Sequence, residues 1–400
     1  MELRNQEITP EVNINEEAEK TSASSAQARK RFDPLGFFKT SLFTKPFWIL
    51  TAIFIFSLIV YTTSRFSTAF AEFWTRYPAQ GIRFILAKVT NFIPFSLAEC
   101  LLLLLPFLAI FYIIASTVST KRDDSDENFY KWLRPVISII LVIGIIFFLG
   151  FGPAYGRNRL SDNLGIAQSP VSADELFKTG VILAERAANE HKDISFDASG
   201  ESIIPYSFKE LQNKVNEAYE KFDESNDFIS HFSSKPKAIA LSEPMTYTHI
   251  SGVYTFMTGE ANINTNYPDF LVPYTMAHEM AHQRGIARED EANFVAFLVC
   301  IDSDDSYLRY CGYTNMLNYI NSALAQADRE KYAEFYYNHT PLEIKKEFYA
   351  YSVFFDKYRE SVASDISGAV NDTFLQSQGQ KEGTKSYGLV VDLAVAYYKQ

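Results

Sequence analysis

Three long apolar runs constrain this chain more than any other feature. They are FWILTAIFIFSLIVYTTSRF at about 47–66, SLAECLLLLLPFLAIFYIIAST at about 96–117 and WLRPVISIILVIGIIFFLGFG at about 132–152. Each is close to the ~20 residues an α-helix needs to cross the hydrocarbon core of a bilayer. A helix at the edge of a soluble core needs one apolar stripe, whereas these runs are apolar all round. The expectation is three transmembrane helices, the second with Pro106 as a kink point.

Other segments fall into place around them. Between the first two runs, STAFAEFWTRYPAQGIRFILAKVTNFIP spaces its aromatics with Arg76, Arg83 and Lys88 at helical intervals. That pattern predicts an amphipathic segment lying along the membrane interface, not a fourth crossing. Glu99, at the edge of the second run, is expected to snorkel or to pair. KRDDSDE is expected to be a solvated loop between the second and third runs. Arg29, Lys30, Arg31, Lys39 and Lys45 precede the first run, and Lys121, Arg122 and Lys131 follow the second. This distribution favours a cytoplasmic N-terminus, and three crossings then carry everything after Phe151 outside the cytoplasm. The expected organisation is a disordered cytoplasmic tail over 1–45, a membrane domain over 46–155 and an extracytoplasmic domain over 160–400. Such a protein is multi-pass in the cell membrane, with the lipid bilayer as an obligatory partner. A net charge of −11 with no basic stripe argues against a nucleic acid partner.

The region after residue 160 is expected to be mainly α with a small β-sheet. Ser172 is a plausible N-cap, and Ser207 with Glu210 forms a capping-box pattern. KAIALS and GVYTFM are short apolar strands, and TGEANINTN alternates like an exposed edge strand. SYGLVVDLAVAYYKQ is a final helix. Of three cysteines, Cys100, Cys300 and Cys311, none has CxxC spacing, which argues against a thiolate metal site. Cys300 and Cys311 either pair in an oxidising compartment or remain buried thiols.

The chemistry is concentrated in YTMAHEMAHQRGIAREDEANF, at 274–294. His278 and His282 stand four residues apart, so on a helix both imidazoles project from one face and can reach one ion. Glu279 is rotated by about 100° from His278, which places it beside such an ion, where it can take a proton from water. Zinc needs a third protein ligand and an open position. Gly285 is a helix terminator that lets the chain turn back into a second helix. The acids available there are Glu289, Asp290, Glu291 and, further off, Asp302. Helical phase puts Glu289 and Asn293 on one face and Glu291 on another.

This arrangement resembles the zincin metallopeptidases, and among them the glutamate-liganded gluzincins, whose HExxH helix is followed by a second helix bearing the ligand glutamate. The resemblance implies a zincin-like α+β domain, Zn2+ held by His278, His282 and Glu289, Glu279 as catalytic base, and Asn293 orienting a ligand histidine. Only six residues separate His282 from Glu289, far fewer than in most gluzincins. A metzincin's third histidine would fall on Arg288, so Glu289 and Glu291 both remain as third ligand. The blocks TGEANIN, AHEMAHQRG and EDEANF behind three apolar runs are also similar to a family of bacterial membrane proteins whose function is unknown. The activity implied is zinc-dependent hydrolysis of a peptide or protein substrate. The substrate would lie in β-augmentation along Gly259, Glu260, Ala261 and Asn262, and Tyr387, Tyr313 or His249 would stabilise the oxyanion. The alternative is a catalytically inactive metallopeptidase-like sensor or scaffold that binds a peptide or protein partner.

Overall fold

A computed structural model describes residues 44–123, 126–229, 232–359, 361–380 and 389–399. The tail expected over 1–45 lies almost wholly outside the described residues, as does Tyr387. The described residues are mainly helical, with one small three-stranded sheet among them.

Helix α1 (Lys45–Phe66) leads into two shorter helices, α2 (Thr68–Arg76) and α3 (Pro78–Thr90), and then α4 (Leu97–Asp123) and α5 (Asp126–Ile146). The last continues as a wide helical turn at Phe147–Phe151 and a tight one at Gly152–Gly156. Three stretches, Lys45–Phe66, Leu97–Lys121 and Lys131–Gly156, are long and apolar enough to cross a membrane. KRDDSDE is not the loop expected of it, because α4 runs to Asp123 and α5 begins at Asp126. Only two positions, outside the described residues, separate the helices. Along α2 and α3 the buried positions are Ala71, Thr75, Ala79, Arg83, Ala87 and Thr90, and the exposed ones include Phe73, Tyr77, Phe84, Ile85 and Val89. The pair is amphipathic as expected, with its small and polar residues turned inward and its aromatics outward.

The wide turn has a physical cause. Within it, the carbonyls of Leu149 and Gly150 accept hydrogen bonds from Trp74 Nε1 and Arg83 Nη1, both at 2.9 Å. Partners from outside the helix satisfy carbonyls that a regular ladder would otherwise occupy. Close behind, a side chain at Gly156 would stand 2.1 Å from the Ser64 carbonyl oxygen, so only glycine allows this segment to cross α1.

The remainder comprises α6 (Leu160–Leu164), α7 (Ala173–Glu190), α8 (Phe208–Ser225), β1 (Lys237–Ala238), α9 (Ser242–Thr246), β2 (Gly252–Thr255), β3 (Glu260–Ile263), α10 (Leu271–Gln283), α11 (Glu289–Asp302), α12 (Ser306–Ala327), α13 (Arg329–Asn338), α14 (Leu342–Asp356), α15 (Val362–Ser377) and α16 (Val390–Tyr398). The expected N-cap at Ser172 and capping box at Ser207 with Glu210 are present, and Ser172 forms a capping box as well, with Glu175. Helices α10 and α11 lie at the centre, buried from Val272 to Gln283 and from Glu289 to Cys300. Their apolar residues join one core with α7, α8, α12 and α16. Cys300 and Cys311 are both buried free thiols, and burial pushes Cys300 up to about 12.

Strand order corrects one expectation. The sheet runs β1-β3-β2, with β1 parallel and β2 antiparallel to β3. The segment Gly259–Asn262 is therefore not an exposed edge: Gly259 ends the preceding turn, and Glu260, Ala261 and Asn262 belong to the middle strand and are almost fully buried. Its polar side chains hold α4. Glu260 accepts hydrogen bonds from the backbone N–H groups of Leu97 (3.0 Å) and Ala98 (2.9 Å), while Ser96 Oγ donates to Asn262 Oδ1 (2.7 Å). Glu99 reciprocates, accepting from the N–H groups of Ala240 and Leu241 at 2.9 and 2.8 Å. Glu99 thus pairs and does not snorkel.

Candidate metal centre

Helix α10 carries His278 and His282 on one face, and its ending sets the rest of the site. Gly285 has φ +91°. Gly285 N–H bonds to the His282 carbonyl (3.0 Å) and Ile286 N–H to the Ala281 carbonyl (3.1 Å), which is the Schellman pattern. The reversal brings the Ile286 carbonyl back to His282 Nδ1 at 2.7 Å. It also starts α11 at Glu289, with that carboxylate turned toward the histidines.

Three atoms meet there. His278 Nε2 and His282 Nε2 are 3.0 Å apart, and Glu289 Oε2 lies 3.3 Å from the first and 3.4 Å from the second. The Ile286 carbonyl takes the Nδ1 proton of a neutral His282, which leaves the Nε2 lone pair aimed at the meeting point. These two nitrogens and a carboxylate oxygen, all buried, can be held together by a shared proton or by a shared cation. A metal ion fits this donor set, and two imidazoles with one carboxylate suit zinc. Electrostatics agree. Burial opposes the Glu289 charge, but His282 and His278 outweigh it and hold the carboxyl well below its usual range. Burial likewise pulls the His282 imidazole down, and Glu289 outweighs it, leaving the proton affinity raised.

Glu279 is buried beside this group, and burial raises its carboxyl above the usual value while His278 and His282 pull the other way. The Tyr254 backbone N–H donates to it. A Cβ on Gly252 would stand 2.7 Å from Glu279 Cγ and Oε1, so β2 lies directly on this side chain. The strand next to Glu279 is thus β2, at the edge of the sheet. No sequence signal singled it out.

The other candidates are sorted by their contacts. Glu291 Oε1 accepts from Leu160 N–H (3.1 Å) and Arg288 Nη1 (3.0 Å) and is spent on structure. Asp290 faces Arg159 at 3.9 Å, and Asp302 closes the far end of α11. Of the acids left open as third ligand, Glu289 is the one that joins the histidines. Asn293 does not orient a ligand histidine: its Nδ2 is without a partner among the described residues, and its carbonyl accepts from Tyr274 Oη at 2.7 Å. The Ile286 carbonyl serves His282 instead, and His278 Nδ1 has no partner among the described residues. His249 is turned to the Tyr358 carbonyl (2.7 Å), and Tyr313 packs on Phe297 in the core. Neither joins the metal-type group.

Sequence reasoning also missed the roof of the site. Phe151, from the wide turn after α5, sets its ring against His282 and Tyr254, with centroids 6.2 and 5.3 Å away. Buried arginines tie that segment to the Gly285 turn. Arg157 donates to the Gly285 carbonyl (3.1 Å) and pairs with Glu72, and Arg288 donates to the carbonyls of Tyr155 and Arg157. The available signal was RNR following an apolar run, unremarkable by itself.

A family model described as "Protein of unknown function (DUF3810)" matches residues 74–395. No curated protein and no solved structure matches the chain.

Proposed function

Because the chain belongs to the DUF3810 family, whose match spans every residue of the candidate metal centre, we propose that it is a membrane-anchored, zinc-dependent peptidase with a zincin-like domain. One observation carries the reading: the nitrogens of His278 and His282 and an oxygen of Glu289 converge within 4.8 Å of one another, buried, with Glu279 alongside. Zinc bound by these three would supply Lewis acidity to a scissile carbonyl and to water.

The chain's own residues do the rest. Glu279 takes the proton of the attacking water and passes it to the leaving amine, and its burial raises its affinity for that proton. An extended peptide pairs with β2 and not with β3, because β3 is occupied on both sides. Phe151 shields His282 on the side of the apolar helices. On this reading the domain lies outside the cytoplasm, the orientation that the basic residues before the first apolar run favour.

A second reading, a non-catalytic sensor or scaffold that binds a peptide or protein partner, has one observation in its favour. The Glu279 carboxylate is already engaged by the Tyr254 N–H and closed in by Gly252. The test has two parts. Metal analysis of purified full-length protein should give one zinc per chain, and none for His282→Ala. Mass spectrometry of a peptide library should show cleavage that Glu279→Gln abolishes while zinc is retained. Absence of zinc from the wild type refutes the peptidase reading, and zinc without cleavage leaves the scaffold.

A further inference from the structure

A cavity of about 270 Å³ lies beside Glu289, on the side of the apolar helices. Its walls include Arg65, from the last turn of α1, Arg157 and Arg159 from the segment after the third apolar stretch, Arg288 and Asp290 from the start of α11, and Gln380.

The donors in this cavity outnumber the acceptors. Arg157 is committed to Glu72 and Arg288 to Glu291. Arg65 is exposed and has no carboxylate partner among the described residues. Arg159, also exposed, reaches Asp290 and Glu291 only at 3.9 and 3.8 Å. Gln380 is 8% exposed: its Oε1 accepts from the Glu289 N–H (3.4 Å), and its Nε2 is left without a partner. Two guanidinium groups and a buried amide N–H around one polar cavity match an oxyanion, which accepts several charge-assisted hydrogen bonds at once.

The surroundings identify the source of that anion. Helix α15 runs directly into Gln378, whose Oε1 accepts from Tyr61 Oη of α1 at 3.0 Å. Along α15, Val362, Ile366, Val370 and Phe374 recur every four residues and are all exposed. The Phe374 ring packs on Phe147 and Tyr155 (centroids 6.2 and 6.3 Å), so the stripe meets the end of the third apolar stretch, Lys131–Gly156. The cavity therefore sits level with the end of α1, where lipid phosphates lie if α1 crosses a bilayer, with an apolar stripe beside it.

We propose that this cavity binds the phosphate of an anionic phospholipid in the outer leaflet, with the α15 stripe against its acyl chains. The proposal rests on the membrane reading of α1, α4 and α5 and is independent of peptidase activity.

The test uses full-length protein in neutral detergent, with native mass spectrometry and thermal unfolding, and three probes: phosphatidylglycerol, phosphatidylcholine and inorganic phosphate. Phosphatidylglycerol should remain bound and raise the melting temperature, phosphatidylcholine should do neither, and phosphate should compete. Arg65→Gln/Arg159→Gln should weaken phosphatidylglycerol binding by about tenfold or more, without changing the melting temperature of the lipid-free protein. Arg65→Lys/Arg159→Lys should restore part of it. Equal retention of the two lipids, or undiminished phosphatidylglycerol binding by the glutamine variant, overturns the proposal. Stabilisation by phosphate but not by phosphatidylglycerol overturns the lipid assignment.

Discussion

The joint between α4 and the sheet can be tested with one carboxylate. Glu260 is 1% exposed and accepts from the first two backbone N–H groups of α4, at 3.0 and 2.9 Å. A hydrogen bond to a charged group contributes about 1.5–3 kcal/mol, so losing two puts Glu260→Ala at about 3–6 kcal/mol. The upper half is expected, because Leu97 and Ala98 are at a helix start, where their N–H groups have no intrahelical partner and the helix dipole favours a negative charge. Glu260→Gln keeps an acceptor but loses the charge, and should cost about half as much. The opposing carboxylate, Glu99, makes its two bonds in a more exposed place, so Glu99→Ala should cost about 1–2 kcal/mol. Both hold one joint, and the double variant should lose at least about 1 kcal/mol less than the sum. Urea unfolding in detergent micelles measures all of this. Trp48, Trp74 and Trp132 are the only tryptophans, so their fluorescence reports α1 to α5 while circular dichroism reports the whole chain. A cost under about 1 kcal/mol for Glu260→Ala, or full additivity with Glu99→Ala, would refute the joint as described.

Other expectations follow from the same geometry. Glu289→Gln should lose stoichiometric zinc, whereas Glu291→Gln should keep it and lose about 1–3 kcal/mol of stability, because Glu291 serves Leu160 and Arg288; metal analysis and urea unfolding check the pair. Gly252→Ala would bring a methyl to 2.7 Å from Glu279 Oε1, and a displaced base should cost about 100-fold in peptide cleavage with zinc content unchanged. Glu347 is buried and accepts from Ser202 N–H and Tyr310 Oη, and burial raises its carboxyl to about 7, above the unperturbed 4.5. The folded state therefore binds the extra proton between those values. Stability from this group is full below about 4.5 and falls by about 1.4 kcal/mol per pH unit up to about 7, some 3 kcal/mol in all. Unfolding of wild type and Glu347→Gln across that window should show the slope only in the wild type.

What the sequence revealed, and what it hid, divides along local and tertiary lines. His278, Glu279 and His282 were legible because the positions of residues i, i+1 and i+4 around a helix are fixed by backbone geometry alone. Gly285 was legible because an αL turn has a residue preference. The choice between Glu289 and Glu291 was not, because it depends on the rotation of α11 about its axis. Contacts from distant segments, such as Leu160 and Arg288 on Glu291, hold that rotation. TGEANINTN misled for a related reason. Alternating polar and small residues indicate a half-exposed strand when water is the partner. Here the partner of Glu260 and Asn262 is the start of α4, some 160 positions earlier, a polar surface that no local pattern announces. Asn293 was assigned a histidine partner by resemblance, yet the Ile286 carbonyl, brought round by the Gly285 turn, already fills that place for His282.

The boundary expected near residues 155–160 marks a change in composition but not in packing. Arg83, on α3, donates to the Gly150 carbonyl in the wide turn (2.9 Å) and to the Thr75 carbonyl (2.9 Å), and its Nη2 would meet a Cβ on Gly285 at 2.7 Å. Arg157 joins Glu72 of α2 to the Gly285 carbonyl. The turn that aims the Ile286 carbonyl at His282 is thus braced by side chains from the segment containing the apolar helices, and the wide turn that receives Arg83 also supplies Phe151 to cover His282. A shift of the third apolar helix along its axis would move Phe151 and the Gly150 carbonyl together, and with them both supports of the histidine. The three convergent side chains, His278, His282 and Glu289, come from α10 and α11 alone, but the rigidity that holds them together is shared across the compositional boundary. That is why a polar group of two histidines and a glutamate can stand buried at the end of the apolar helices.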